Sequence, residues 1–176
     1  MREVPAPRRI APWSVALTGE VEAPRADDPD LASGRFIVLH DPAGQEAWQG
    51  SFRVVTMVRA TLEPEMASEE MLAEVAWTWL EDALRDTGAA VRAEGGTVTR
   101  VLSQSFGALA GKDNDVELEM RASWTPVPAG PGPADLGDHL AAWAQLLCTA
   151  AGLPPLPDGV TPLGARPPVR RNTVNP

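Results

Sequence analysis

Between Val116 and Trp124 the chain alternates without a break: Val116, Leu118, Met120, Ala122 and Trp124 interleave with Glu117, Glu119, Arg121 and Ser123. Successive side chains of a strand point to opposite faces, so this segment belongs in a sheet with one dry face and one wet face. Parallel sheets bury both faces and read as continuous apolar runs, and the pattern therefore directs the chain towards an antiparallel sheet covered on one side. Trp13 to Glu22 shows the same period, with Val15, Leu17 and Val21 opposing Ser14, Thr18 and Glu20. So does Ala47 to Leu62, with Phe52, Val54, Val58 and Leu62 opposing Ser51, Arg53, Arg59 and Thr61. Arg35 to His40 is a short apolar run rich in β-formers, which predicts a second, central strand. Asp41-Pro42-Ala43-Gly44 has type I turn chemistry and predicts a hairpin after it. Gly50 marks a bulge or a close backbone approach. Val91 to Phe106 returns to strand character around Gly95-Gly96, a pair that fits either a tight turn or a bulge.

Twice the period changes to that of a helix. Leu72, Val75, Ala76, Trp79, Leu80, Ala83 and Leu84 form one stripe, with Ser68 as N-cap, Glu69 and Glu70 in the first turn and Gly88 past the end. These signals predict a helix over 69–87. The second helix is predicted over 135–151, capped by Asp135 with Asp138 three residues on. Its stripe is Leu136, Leu140, Trp143, Ala144 and Leu147, and Gly152-Leu153-Pro154-Pro155 ends it. The order is β-β-β-α-β-β-α: an α+β class with an antiparallel sheet of about five strands and two helices on one face. Residues 1–12, with three prolines and three arginines, read as an extended lead-in. Residues 13–160 form a single α+β domain, and 161–176, inside a proline-rich end, are expected to be a disordered tail.

The chain of 176 residues carries a net charge of −9, a field that repels phosphate backbones and anionic lipid. Nucleic-acid binding is therefore disfavoured, the local basic group Arg166, Arg170 and Arg171 notwithstanding. No apolar run approaches the ~18 residues of a membrane span, so no membrane partner is expected. The single cysteine, Cys148, cannot form an internal disulfide, and a cytoplasmic setting is expected. Among Leu146, Leu147 and Ala150 it reads as a small buried hydrophobe.

His40, His139 and Cys148 have no ligand-spaced neighbours, and no metal or other cofactor is expected. No glycine-framed serine or activated cysteine is present, so no catalytic residue is assigned. Glu117 and Glu119 share the wet face of one strand and read as solubilising charges that blunt a sheet edge. His40-Asp41 at a strand end is the pair best suited to proton transfer, against the plainer reading in which Asp41 serves the turn. Arg53 and Arg59 share one strand face and could serve as polar groups of a pocket, or pair with Glu46 or Glu63 on the surface. Of six tryptophans, Trp79, Trp124 and Trp143 fall on inward faces. Trp48 and Trp77 do not, and they are the aromatic candidates for partner contact.

Arg35 to Asp41 with the following Pro42-Ala43-Gly44-Gln45-Glu46-Ala47-Trp48, then Phe52-Arg53-Val54-Val55, resembles a block of the actinobacterial DUF3000 family, whose function is unassigned. Gly95 to Arg100, Arg121 to Pro126 and Leu146 to Pro154 resemble further blocks. The resemblance covers residues 3 to 160 and implies no activity. It also implies an amphipathic segment ahead of the Pro5 to Pro12 stretch, which would make the order α-β-β-β-α-β-β-α, similar to the small dimeric fold of secretion chaperones. In that case two helices would leave part of Phe52, Val54, Leu118 and Met120 uncovered.

The leading expectation is a non-catalytic protein-interaction or chaperone-like adaptor module that binds another protein or itself. The alternative is a small-molecule-binding domain or enzyme whose sheet–helix pocket uses His40, Asp41, Arg53 and Arg59.

Overall fold

The computed structural model describes residues 1–155 apart from 8, 26–28, 64–65, 67–68, 111–114, 129, 131–134 and 154. The expected cap Ser68 and the tail 161–176 with its arginines lie outside the described residues. Eight elements follow in order: β1 (Arg2–Val4), β2 (Trp13–Val21), β3 (Ala32–Gln45), β4 (Gly50–Leu62), α1 (Leu72–Asp86), β5 (Val91–Ser103), β6 (Asp115–Pro126) and α2 (Leu136–Ala150). The strands form one antiparallel sheet in the order β1-β2-β3-β4-β6-β5.

The sheet has six strands instead of five because the lead-in supplies one: Arg2–Val4 pairs with Ala16–Thr18. Three residues need no periodicity of their own when a neighbouring strand offers free backbone groups. The β3–β4 hairpin also differs from expectation. The ladder is interrupted between His40 and Gln45, and the chain reverses at a 3₁₀ turn, Glu46–Trp48, followed by Gln49 at φ 56°. Gly95-Gly96 sits at a bulge inside one continuous strand, next to Ala93 at φ 51°.

Pairing register divides the sheet into two faces. Phe36, Val38, Val54, Val58, Leu118, Met120 and Trp124 share the face that the helices cover, and all are buried. The expectation that Val54, Leu118 and Met120 would remain partly accessible is thus corrected: two helices suffice over them, and only Phe52 of that group is half-buried. α2 lies close to β2 and β3 because Gly19 and Gly34 face each other across those strands and the Trp143 indole rests on them. A Cβ at Gly34 would stand 2.5 Å from the Met57 carbonyl oxygen and 2.6 Å from Leu147 Cδ1.

Both helices end in the same way. Gly88 (φ 73°) and Gly152 (φ 77°) take the left-handed conformation, Ala89 N–H and Leu153 N–H reach back to the Leu84 and Cys148 carbonyls, and the glycine N–H groups bond the Arg85 and Thr149 carbonyls. Asp135 caps α2 by accepting from Gly137 N–H, as expected. α1 starts at Leu72, later than expected, and its buried stripe is Leu72, Ala76, Leu80, Ala83 and Leu84. Trp79 is only half-buried, correcting its assignment to the core. Trp77 and Trp79 stand on opposite flanks of the stripe, and both pack against its margin.

Trp124 and Trp143 are the largest fully buried side chains. Trp124 Nε1–H donates to Nδ1 of buried His139 at 3.1 Å, which requires an unprotonated Nδ1. Burial holds the His139 pKa below the usual histidine range, while the Asp138 and Asp135 charges pull weakly the other way. A depressed folded pKa means that the unfolded chain binds the extra proton first, so this contribution is present above the ordinary histidine value and is lost as pH falls. Thermal melts should therefore lose stability between about pH 7 and pH 5 in the native chain, with a flatter profile in His139→Gln. Parallel profiles for the two proteins would contradict this role.

Candidate functional site

The face turned away from the helices presents Arg35 and Ile37 from β3, Val55 and Met57 from β4, Arg121 and Ser123 from β6, and Gly95 and Thr97 from β5. These residues line a hollow of about 500 Å³. Its floor is aliphatic at Ile37, Val55 and Met57, Gly95 leaves backbone in place of a side chain on the β5 side, and Arg35 and Arg121 supply the charge. One end of the same face is closed, where Ala16, Leu39 and Thr125 are buried.

Arg53 holds that closed end together. Its guanidinium donates to the Ala93 carbonyl at 2.8 Å, to Ser123 Oγ at 2.7 Å and, at 3.3 Å each, to the Ser123 carbonyl and Thr125 Oγ1. Thr125 Oγ1–H in turn donates to the Trp48 carbonyl. The acceptors are all neutral, and burial holds the Arg53 pKa below its ordinary value. The side chain ties β4 to β6 and to the strained bulge of β5, which places Gly95 and Gly96 at the hollow.

At the other end, Glu119 lies between Arg59 and Arg121, at 2.5 and 2.6 Å, and Glu117 is 3.8 Å from Arg59. The Arg59 hydrogen bond is the main cause that holds the Glu119 pKa below the usual carboxylate range, and the same bond raises that of Arg59. Glu117 and Glu119 therefore do not blunt an edge: β6 is interior, and they face the arginine of the neighbouring strand. Among the described residues Arg35 makes no ion pair.

The sequence of this assembly matches the family described as Protein of unknown function (DUF3000) over residues 1–161. The chain belongs to that family. No curated protein and no solved structure matches it.

In this DUF3000 protein the residues singled out from the sequence do not converge. Arg53 and Arg59 do share a face, but six residues apart on a strand is roughly 20 Å, and the face is the one without helices. His40 stacks on Phe52 with ring centroids 4.2 Å apart, on the opposite face. Asp41 serves the chain reversal, accepting from Ala43 N–H and Gln45 Nε2–H. Trp48 is half-buried in the 3₁₀ turn, and half-buried Trp77 lies against Gly96 with its Nε1–H on Glu81. Cys148 is exposed, which corrects its expected burial: it stands on the outer side of α2. Among the described residues no group of three or more His, Cys, Asp or Glu is placed to hold a metal ion.

Arg35, Val55, Met57 and Arg121 were missed as a group. A signal did exist, because Val55 and Met57 fall on the Arg53 parity and put large apolar side chains on the nominally wet face, as Ile37 does on β3. Since Arg53 satisfies acceptors on two other strands, Arg53→Met should cost about 1–3 kcal/mol of stability by chemical denaturation, and Arg53→Lys should recover only part of it. A loss below ~0.5 kcal/mol would assign the bulge to other contacts.

Proposed function

We propose that this protein is a non-catalytic protein-interaction module of the adaptor or chaperone-like kind, and that the helix-free sheet face is its docking surface. The observation that carries this reading is the aliphatic hollow between Arg35 and Arg121. The occupant it fits is an extended segment of another protein bearing aliphatic side chains flanked by Asp or Glu. Charge distribution supports that chemistry. α1 carries Glu74, Glu81, Asp82 and Asp86 against Arg85, and α2 carries Asp138 with no Lys or Arg. On the helix-free face Arg2, Arg35, Arg53, Arg59 and Arg121 stand against Glu20, Glu117 and Glu119. An acidic chain thus concentrates its cations around the half-buried apolar floor, and an acidic partner is steered to that face and away from the helices.

A pocket of this volume is also within the range that small ligands use. The polar set expected for the small-molecule or enzyme alternative is split between two faces, and the charged residues among the described lining of the hollow are Arg35 and Arg121 instead. The protein reading is favoured because the hollow is open and continuous with the sheet surface.

A peptide array probed with the full chain tests this. Aliphatic peptides with flanking carboxylates should bind at least tenfold better than their lysine-flanked counterparts. Met57→Lys and Arg35→Glu/Arg121→Glu should abolish the difference, and Arg85→Glu on α1 should preserve it. Absence of enrichment, or enrichment untouched by the hollow variants, would overturn the reading.

A further inference from the structure

The two outer strands of the sheet are unequal. β1 has three residues, whereas β5 has thirteen, and among the described residues β5 pairs with β6 alone. Its second row of backbone groups therefore faces outwards, a template for another strand. The usual protections are sparse: β5 contains no proline or lysine, and its bulge is confined to the end between Arg92 and Gly95. From Gly95 to Ser103 the register is unbroken. Val101 and Leu102 in that stretch are each 47% exposed.

We propose that two copies of this chain pair antiparallel along β5 and join their sheets into one. Such pairing is independent of what the helix-free face binds. Adjacent antiparallel edges of identical sheets are related by a two-fold axis normal to the sheet, which keeps both helix layers on one side. Opposite residues must then share a face, so the axis lies between the two copies of one residue and not between successive residues. The unbroken stretch from Gly95 to Ser103 has its midpoint at Thr99, and centring there uses all of it.

That register is complementary. Leu102, on the helix side, comes opposite Gly96 of the second copy. There Gly96, covered by the edge of the Trp77 ring, lines an apolar hollow of about 440 Å³ together with Ala73, Trp77 and Val98. Arg100, whose Nη1–H donates to the Glu69 carbonyl of its own chain, comes opposite Val98 and beside Glu74 in the lining of the same hollow, so the two-fold brings a cation near that carboxylate twice in each interface. Val101 comes opposite Thr97, and no like charges face each other. The axis residue, Thr99, is exposed and faces the helix-free side.

Sedimentation of the full chain should show a dimer. Thr99→Lys sets two ammonium groups across the axis and should weaken the dimer at least about tenfold while leaving the thermal melt of the monomer unchanged. In a Cys148→Ser background, Thr99→Cys should oxidise rapidly to a disulfide-linked dimer, and Thr97→Cys, which faces Val101 of the second copy, should not. A monomer at all accessible concentrations overturns the proposal. So does a dimer that Thr99→Lys leaves intact and Thr99→Cys fails to cross-link.

Discussion

Everything in this fold depends on how closely α2 approaches the sheet, and that distance is set by one indole on two glycines. Trp143 lies over the Gly19–Gly34 pair, completely buried. Burying a side chain of that size is worth about 4–6 kcal/mol of apolar transfer, against which its Nε1, with no partner among the described residues, costs about 1–3 kcal/mol. The balance favours close docking. With α2 that close, Leu147 also reaches the sheet at Gly34, and the N-terminal turn of the helix brings His139 to the Trp124 indole. α1 completes the layer over the other end, with Trp77 set against Gly96. Both glycine contacts serve one face, and the opposite face is left without a helix.

The consequence is a division of labour between faces that a single strand cannot reveal. On the covered face, apolar side chains recur at every second residue because burial rewards each of them. On the other face no such pressure acts, so Ile37, Val55 and Met57 there need another reason. Their setting between Arg35 and Arg121, with Arg53 fixing the bulge at one end and Glu119 neutralising part of the charge at the other, is what supports the proposed docking surface. The cations cluster there even though the whole chain carries −9.

Much of this architecture was legible in the sequence where the signal is local. The alternation from Val116 to Trp124 placed β6 with the correct residues inward, and the Gly88 and Gly152 caps predicted the ends of both helices. Failures occurred where a residue answers to a distant partner. Trp79 belongs to the stripe by spacing, but α1 buries a face narrow enough to leave it on the flank. Asp41 accepts from its near neighbours Ala43 and Gln45, yet the chain does not reverse at Asp41 to Gly44 as expected, because the strand continues past them to Gln45. Arg53 looked like a free polar group, and only the fold reveals that its acceptors lie on strands 40 and 70 residues away. β1 was invisible because its existence depends on the edge of β2.

One face of the sheet is sealed by helices, and the other, including the aliphatic hollow, is open to solvent. Two methionines report on the two faces. Met57 lines the hollow, and Met120, two strands from the β3 floor, is 2% exposed beneath the helices. The most direct measurement is peroxide oxidation of the folded chain followed by mass spectrometry of each methionine. Met57 should oxidise rapidly under native conditions, with Met120 protected until the chain unfolds. Equal protection of both residues, or faster oxidation of Met120, would contradict the account.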